Sequence, residues 1–188
     1  MNVEEQVREI KKELRASMNG ILSARMREAG MPFRLIFGVE LPRLRNIANE
    51  FPCDTDLANS LWKQDIRETR LLAIMLMPPE AFTPDVANEW ADTMLTAEEA
   101  QVLAMMLLSK TSQAKEISLS WLNESKPLPS VCACLCLRHL IVQDTELSAE
   151  ERQDIEKCLE KLQPGANLHL KKAIHVLKEA FKELRIKN

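Results

Sequence analysis

The sequence predicts an all-α protein, a single stack of short antiparallel helix pairs. Three observations carry that prediction. Apolar residues recur at three- and four-residue spacing along nearly the whole chain, the period of one helix face. Helix start and stop signals punctuate this pattern repeatedly. Gly is scarce, at four in 188 residues, and Tyr is absent, whereas an all-β chain needs Gly turns and favours aromatic strands.

The elements follow in order. Val3, Val7, Ile10 and Leu14 line one face of a first helix. A second, short helix is expected over Ile21 to Arg27, stopping at Gly30, where Gly suits a helix end. Met31 to Val39 (MPFRLIFGV) reads as an apolar loop. Leu41-Pro42 opens the next helix, with Pro in the first turn, and Pro52 closes it after Phe51. A pair is expected over Asp56 to Lys63 and Ile66 to Met77, ended by Pro78 and Pro79. Thr83-Pro84 is a restart, with Thr as N-cap and Pro at the first helical position. Thr96 and Glu99 form a capping box before an apolar run. A helix is expected over Ser112 to Asn123, broken by Pro127 and Pro129, with Ser130 capping a very apolar helix over Val131 to Val142. Ser148 and Glu151 form a second capping box, and Pro164-Gly165 ends that helix. The last helix is expected over Asn167 to Arg185. That makes about ten helices of two to four turns, joined by short polar segments and lacking the long heptads of a coiled coil. The chain reads as one domain, residues 1–188, with a compact bundle as the alternative architecture.

Composition narrows the function classes. The 46% hydrophobic content is too high for a disordered chain. No apolar run reaches the roughly 20 residues that cross a bilayer, and the start MNVEEQVREIKKELR, charged with both signs, reads as no signal peptide. Five cysteines, three in VCACLCL without metal-ligand spacing, suggest buried thiols in a reduced, cytoplasmic protein. No metal or other cofactor is expected: His139, His169 and His175 lack ligand spacing, and no phosphate-binding Gly loop or GxSxG elbow occurs. The net charge of -3 gives no overall support to nucleic-acid binding, which then requires a segregated basic face.

Three segments together carry a resemblance: Phe37 to Arg45 (FGVELPRLR), Leu57 to Trp62 (LANSLW) and Ile66 to Ile74 (IRETRLLAI), with Leu170 to Ile174 (LKKAI) further on. They resemble the DNA alkylation repair family of HEAT-like-repeat glycosylases, over about Met31 to Phe181. The resemblance implies a HEAT-like solenoid that holds duplex DNA on its concave face. It also implies hydrolysis of the N-glycosidic bond of purines made cationic by alkylation. A carboxylate would stabilise the developing oxocarbenium, aromatic faces would attract the cation, and Lys and Arg would hold phosphates.

The resemblance makes Trp90 and Asp92 the candidate catalytic residues. The family pairs a Trp with an Asp four residues later, on one helix face. Here Trp90 is followed at that spacing by Met94, and Asp92 is preceded by Asn88. Trp90 and Asp92 themselves lie about 200° apart around a regular helix. The family's second aromatic, after the late basic segment, is replaced by His175, and its cleft Arg by the Cys132–Cys136 stretch, with Arg138 farther along. Lys110, Lys115, Arg138, Lys171, Lys172 and His175 are the candidate DNA contacts. The plainer readings are core packing for Trp90, Trp62 and Trp121, and solvated surface for Asp92 and the basic residues. Two functions follow. One is a DNA-binding protein of the alkylation-repair type, able or unable to excise cationic purines. The other is a catalytically inactive helical module that binds a protein partner.

Overall fold

The computed structural model describes residues 2–143 and 147–187, with side chains through Glu183. The described residues contain eleven α-helices and no strand; an isolated bridge between Leu35 and Ile66 is the sole β-type pairing among them. The chain divides into two compact units, one ending at Ala81 and the other starting at Phe82.

The first unit contains α1 (Val3–Ala16), α2 (Gly20–Glu28), α3 (Leu41–Ala48), α4 (Thr55–Trp62) and α5 (Arg67–Leu76). The amphipathic spacing of α1 buries Val7, Ile10 and Leu14, while Val3 is half-buried. Asn2 closes a capping box with Glu5 in front of it. Asp54 caps α4, accepting the Leu57 N–H at 2.7 Å. Helices α4 and α5, joined by a short turn, form the main packed pair of this unit, with α1 and α3 laid against them. Helix α3 stops at Ala48, before the expected Phe51, because the backbone tightens into a turn in which the Phe51 N–H bonds the Ala48 carbonyl.

The second unit contains α6 (Pro84–Asp92), α7 (Ala97–Met106), α8 (Ala114–Glu124), α9 (Pro127–Val142), α10 (Ala149–Leu162) and α11 (Leu168–Lys187). Helix α9 is its centre, packed by α7, α8 and α11. Nothing charged occurs in it before Arg138, and ten of its 16 residues are buried, as befits a helix apolar all round. The N-caps foreseen at Thr83, Thr96 and Ser148 all form, the last two as complete capping boxes.

One expectation is corrected. Pro127 and Pro129 do not separate two helices, and Ser130 is not a cap; α9 begins at Pro127, with both prolines in its first turn. The first helical N–H groups have no intrahelical acceptor, so proline there removes no bond. The break falls at Ser125, whose left-handed backbone (φ 60°) ends α8, and Ser130 is buried, its hydroxyl donating to the Trp121 carbonyl at 3.4 Å.

Candidate nucleic-acid interface

The FGV and ExR segments meet in space within the first unit. Glu68 stands in the first turn of α5 and is fully buried. Its carboxylate accepts the backbone N–H groups of Phe37 (3.0 Å), Gly38 (2.9 Å) and Val39 (3.3 Å). The Arg67 guanidinium bonds the same carboxylate at 2.8 Å and the Val39 carbonyl at 2.9 Å. Three consecutive N–H groups turned on one anion form a nest, and the paired Arg meets the need of a buried carboxylate for a counter-charge. The Arg70 guanidinium lies 3.9 Å over the Trp62 ring and donates to the Trp62 carbonyl at 3.1 Å. These segments therefore fasten the 37–39 loop and the α4–α5 pair together. They are fold-holding, with every charged group inside.

The candidate catalytic pair separates as the helix period requires. Trp90 is 2% exposed, with Phe82 edge-on at a centroid distance of 5.4 Å. Asp92 lies on the solvent side, its carboxylate 2.6 Å from the Lys126 ammonium; this bond, with a second to Glu124, raises the Lys126 pKa. Met94 is buried, and Asn88 accepts the Trp121 indole N–H at 2.9 Å. Neither register gives an open ring with a carboxylate beside it. All three Trp and five Phe are described. Seven of these rings are buried and Phe51 is half-buried.

The candidate DNA contacts divide. Lys115 is engaged by Glu151 at 2.8 Å, a bond that holds the Glu151 carboxyl below its ordinary pKa. Lys110 and Arg138 are exposed on separate elements. Lys171, Lys172 and His175 are all exposed and come together on α11. Two residues that sequence reasoning left aside join them. Lys171, His175, Lys178 and Lys182 recur at i, i+4, i+7 and i+11, the spacing of one helix face. Lys171, His175 and Lys178 line a shallow cavity of about 410 Å³ with Gln163 and Ile174. Lys178 donates to the Gln163 amide oxygen at 2.7 Å, and Lys182 to Glu179 at 2.7 Å. The signal for this stripe was present in the sequence: the helix carries six Lys and Arg against two acids, although the chain as a whole is acidic.

The comparisons with known proteins bear on this arrangement. The sequence profile described as DNA alkylation repair enzyme matches residues 10–183. The chain belongs to the DNA alkylation repair family. No curated protein matches it significantly. A solved structure, described as one of a new family related to the HEAT-like repeat DNA glycosylases with affinity for branched DNA structures, superimposes with a TM-score of 0.82. Identity is 18%, over 96% of this chain and 79% of that one, so the likeness establishes the HEAT-like fold that this alkylation-repair family member adopts. Among the described residues no helix is long and apolar enough to cross a membrane, and no group of three metal-ligating side chains occurs.

Proposed function

We propose that this member of the alkylation-repair family is a DNA-binding protein that grips the phosphate backbone and does not excise bases. The observation that carries the reading is the basic face of α11, on which Lys171, His175, Lys178 and Lys182 share one side. From Lys171 to Lys182 the stripe runs about 16 Å along the helix axis. That length matches several successive phosphates of one strand, which are spaced about 3.4 Å apart along the duplex axis. Lys and Arg contacts of this kind supply affinity without reading sequence. The affinity for branched DNA described for the structural relative makes junctions the natural first ligand to try.

The lack of excision rests on the site chemistry. A cationic purine turned out of the stack needs an open aromatic face and a carboxylate beside the sugar. Trp90 is enclosed and Asp92 is tied to Lys126 on the other side of α6.

Fluorescence anisotropy with a labelled duplex and a labelled four-way junction tests the reading. Binding at low salt is expected, with log Kd rising linearly with log salt concentration. Replacing Lys171, Lys172 and Lys178 by Glu should abolish it. A wild-type protein that binds neither DNA at low salt would leave the protein-partner function as the one to pursue.

A further inference from the structure

Helix α2 is held differently from the other helices of its unit. Only Ser23 of its nine residues is buried. Ile21 is 72% exposed, and Met18, just before the helix, is 59% exposed. An ordinary surface helix turns its apolar side chains to the core. Here the main helix–helix packings of the unit, α4 on α5, α3 on α5 and α1 on α4 and α5, do not include α2. It is tied to the 36–38 loop by polar bonds, with Leu22 and Met26 half-buried beneath it. The Asn19 N–H bonds the Phe37 carbonyl at 2.9 Å, and the Ser23 hydroxyl bonds the Ile36 carbonyl at 2.6 Å. A Cβ on Gly38 would come within 2.3 Å of the Asn19 carbonyl oxygen, so the two backbones touch. The helix is therefore firmly seated along one edge while Met18 and Ile21 stay in water.

Basic residues outnumber acids along this stretch, with Glu28 two turns beyond Ile21 on the same face of α2. No acid occurs between Glu13 and Glu28, while Arg15, Arg25 and Arg27 all fall there and are exposed. Glu13 is itself engaged by Arg43 at 3.0 Å. Arg27 turns away to the Ile36 carbonyl at 3.5 Å, but Arg15, three residues before Met18, and Arg25, one turn after Ile21, are exposed. An apolar pair flanked by two such guanidinium groups fits an anionic partner that also offers apolar faces. Two well-exposed apolar side chains are too few for an interfacial membrane helix, which needs a long apolar face. They are enough to enter a base step, where Met and Ile are common wedges.

We infer that Met18 and Ile21, flanked by Arg15 and Arg25, form a wedge that contacts unstacked bases in DNA while the arginines hold the neighbouring phosphates. This rests on the DNA-binding reading above and adds a selectivity to it. In continuous duplex the wedge must first separate a base step, whereas at a branch point the step is already open. The wedge thus favours branched over continuous DNA without reading sequence.

The test uses the full chain with Met18→Ser/Ile21→Ser, since both side chains are exposed and the variant should melt like wild type by circular dichroism. Anisotropy titrations compare a four-way junction with a continuous duplex of equal length. Junction affinity should fall roughly five- to twentyfold in the variant, with duplex affinity changed less than twofold. A 2-aminopurine placed at the branch point should change its fluorescence with wild type and not with the variant. Equal junction affinities for variant and wild type, or equal losses on both DNAs, would overturn the wedge and leave DNA binding standing. Co-sedimentation of wild type with phosphatidylserine vesicles, lost in the variant, would also overturn it by reassigning the surface to lipid. Failure of the wild type to bind either DNA would remove both the wedge and the reading beneath it.

Discussion

At the scale of single residues, Gly38 meets two demands that a side chain cannot. Its φ is +76°, and a Cβ there would meet the Asn19 oxygen at 2.3 Å and the Ser23 nitrogen at 2.7 Å, both backbone atoms. Gly30 has a similar φ of +80° but open space around it. Gly30→Ala should therefore cost only about 1 kcal/mol of left-handed strain, while Gly38→Ala should cost about 3 kcal/mol or more in urea unfolding. Glu68→Gln should cost about 3 kcal/mol by the same measurement, because a neutral amide replaces the buried anion that the Phe37, Gly38 and Val39 N–H groups and the Arg67 guanidinium bond. The cysteines separate just as sharply. Cys134 and Cys136 are pushed up to about 12 and about 11 by burial, and Cys132 and Cys158 are buried and raised as well. Cys53 alone is exposed. Ellman's reagent at pH 8 should titrate one fast thiol in the native protein, none in Cys53→Ser, and all five of the wild type in denaturant.

At the scale of elements, α11 is where the proposed binding can be read quantitatively. Each phosphate contact contributes about 0.9 to the salt slope, so Lys171→Ala/Lys178→Ala should lower the slope by about two, which a salt series on duplex DNA would record. Charge also anchors α10 to α8. Glu151 bonds Lys115 and the Ser148 N–H, and the Lys115 bond is the larger reason its pKa lies below the ordinary carboxyl value. A carboxyl lowered on folding adds stability above its unfolded pKa and loses it as pH falls through the folded one. Wild type should thus lose more Tm than Glu151→Gln between pH 6 and pH 3. Most of the helices were legible because their signals are local. Thr83-Pro84 and the capping boxes at Thr96 and Ser148 each work within three residues. Pro127 and Pro129 misled because a proline that ends one helix and a proline that starts the next look alike in sequence. The Glu68 nest was not legible: its partners lie 29 to 31 residues away, a distance that only tertiary packing closes. The 200° between Trp90 and Asp92 was readable from the helix period. So was the plainer reading of each, a Trp that packs in the core and an Asp that stays in water, because the two side chains differ so widely in the cost of burial.

For the whole molecule, an acidic total and the proposed DNA binding are compatible only through local basic surplus, and even on α11 Lys178 and Lys182 share a cavity with Glu156 and Glu160. Six Lys and Arg stand on α11, and three Arg fall between Glu13 and Glu28. What the molecule does with bound DNA turns on excision. Family membership places the ancestry among repair enzymes, and removal of a cationic purine requires a ring and a carboxylate acting on the same nucleotide. Trp90 packs inside with Phe82, so Trp90→Ala should cost about 3–5 kcal/mol of stability through lost burial. Asp92 sits in a surface pair with Lys126, worth little to stability, so Asp92→Asn should fold and bind DNA as wild type does. On DNA carrying 7-methylguanine, wild type and Asp92→Asn should both release the base at the rate seen in buffer alone, under conditions where anisotropy shows the DNA saturated. Release by wild type above that rate, lost in Asp92→Asn, would mean that Asp92 leaves Lys126 when DNA binds and acts on the sugar. Release equal in both proteins but above buffer would instead locate the chemistry on a carboxylate other than Asp92.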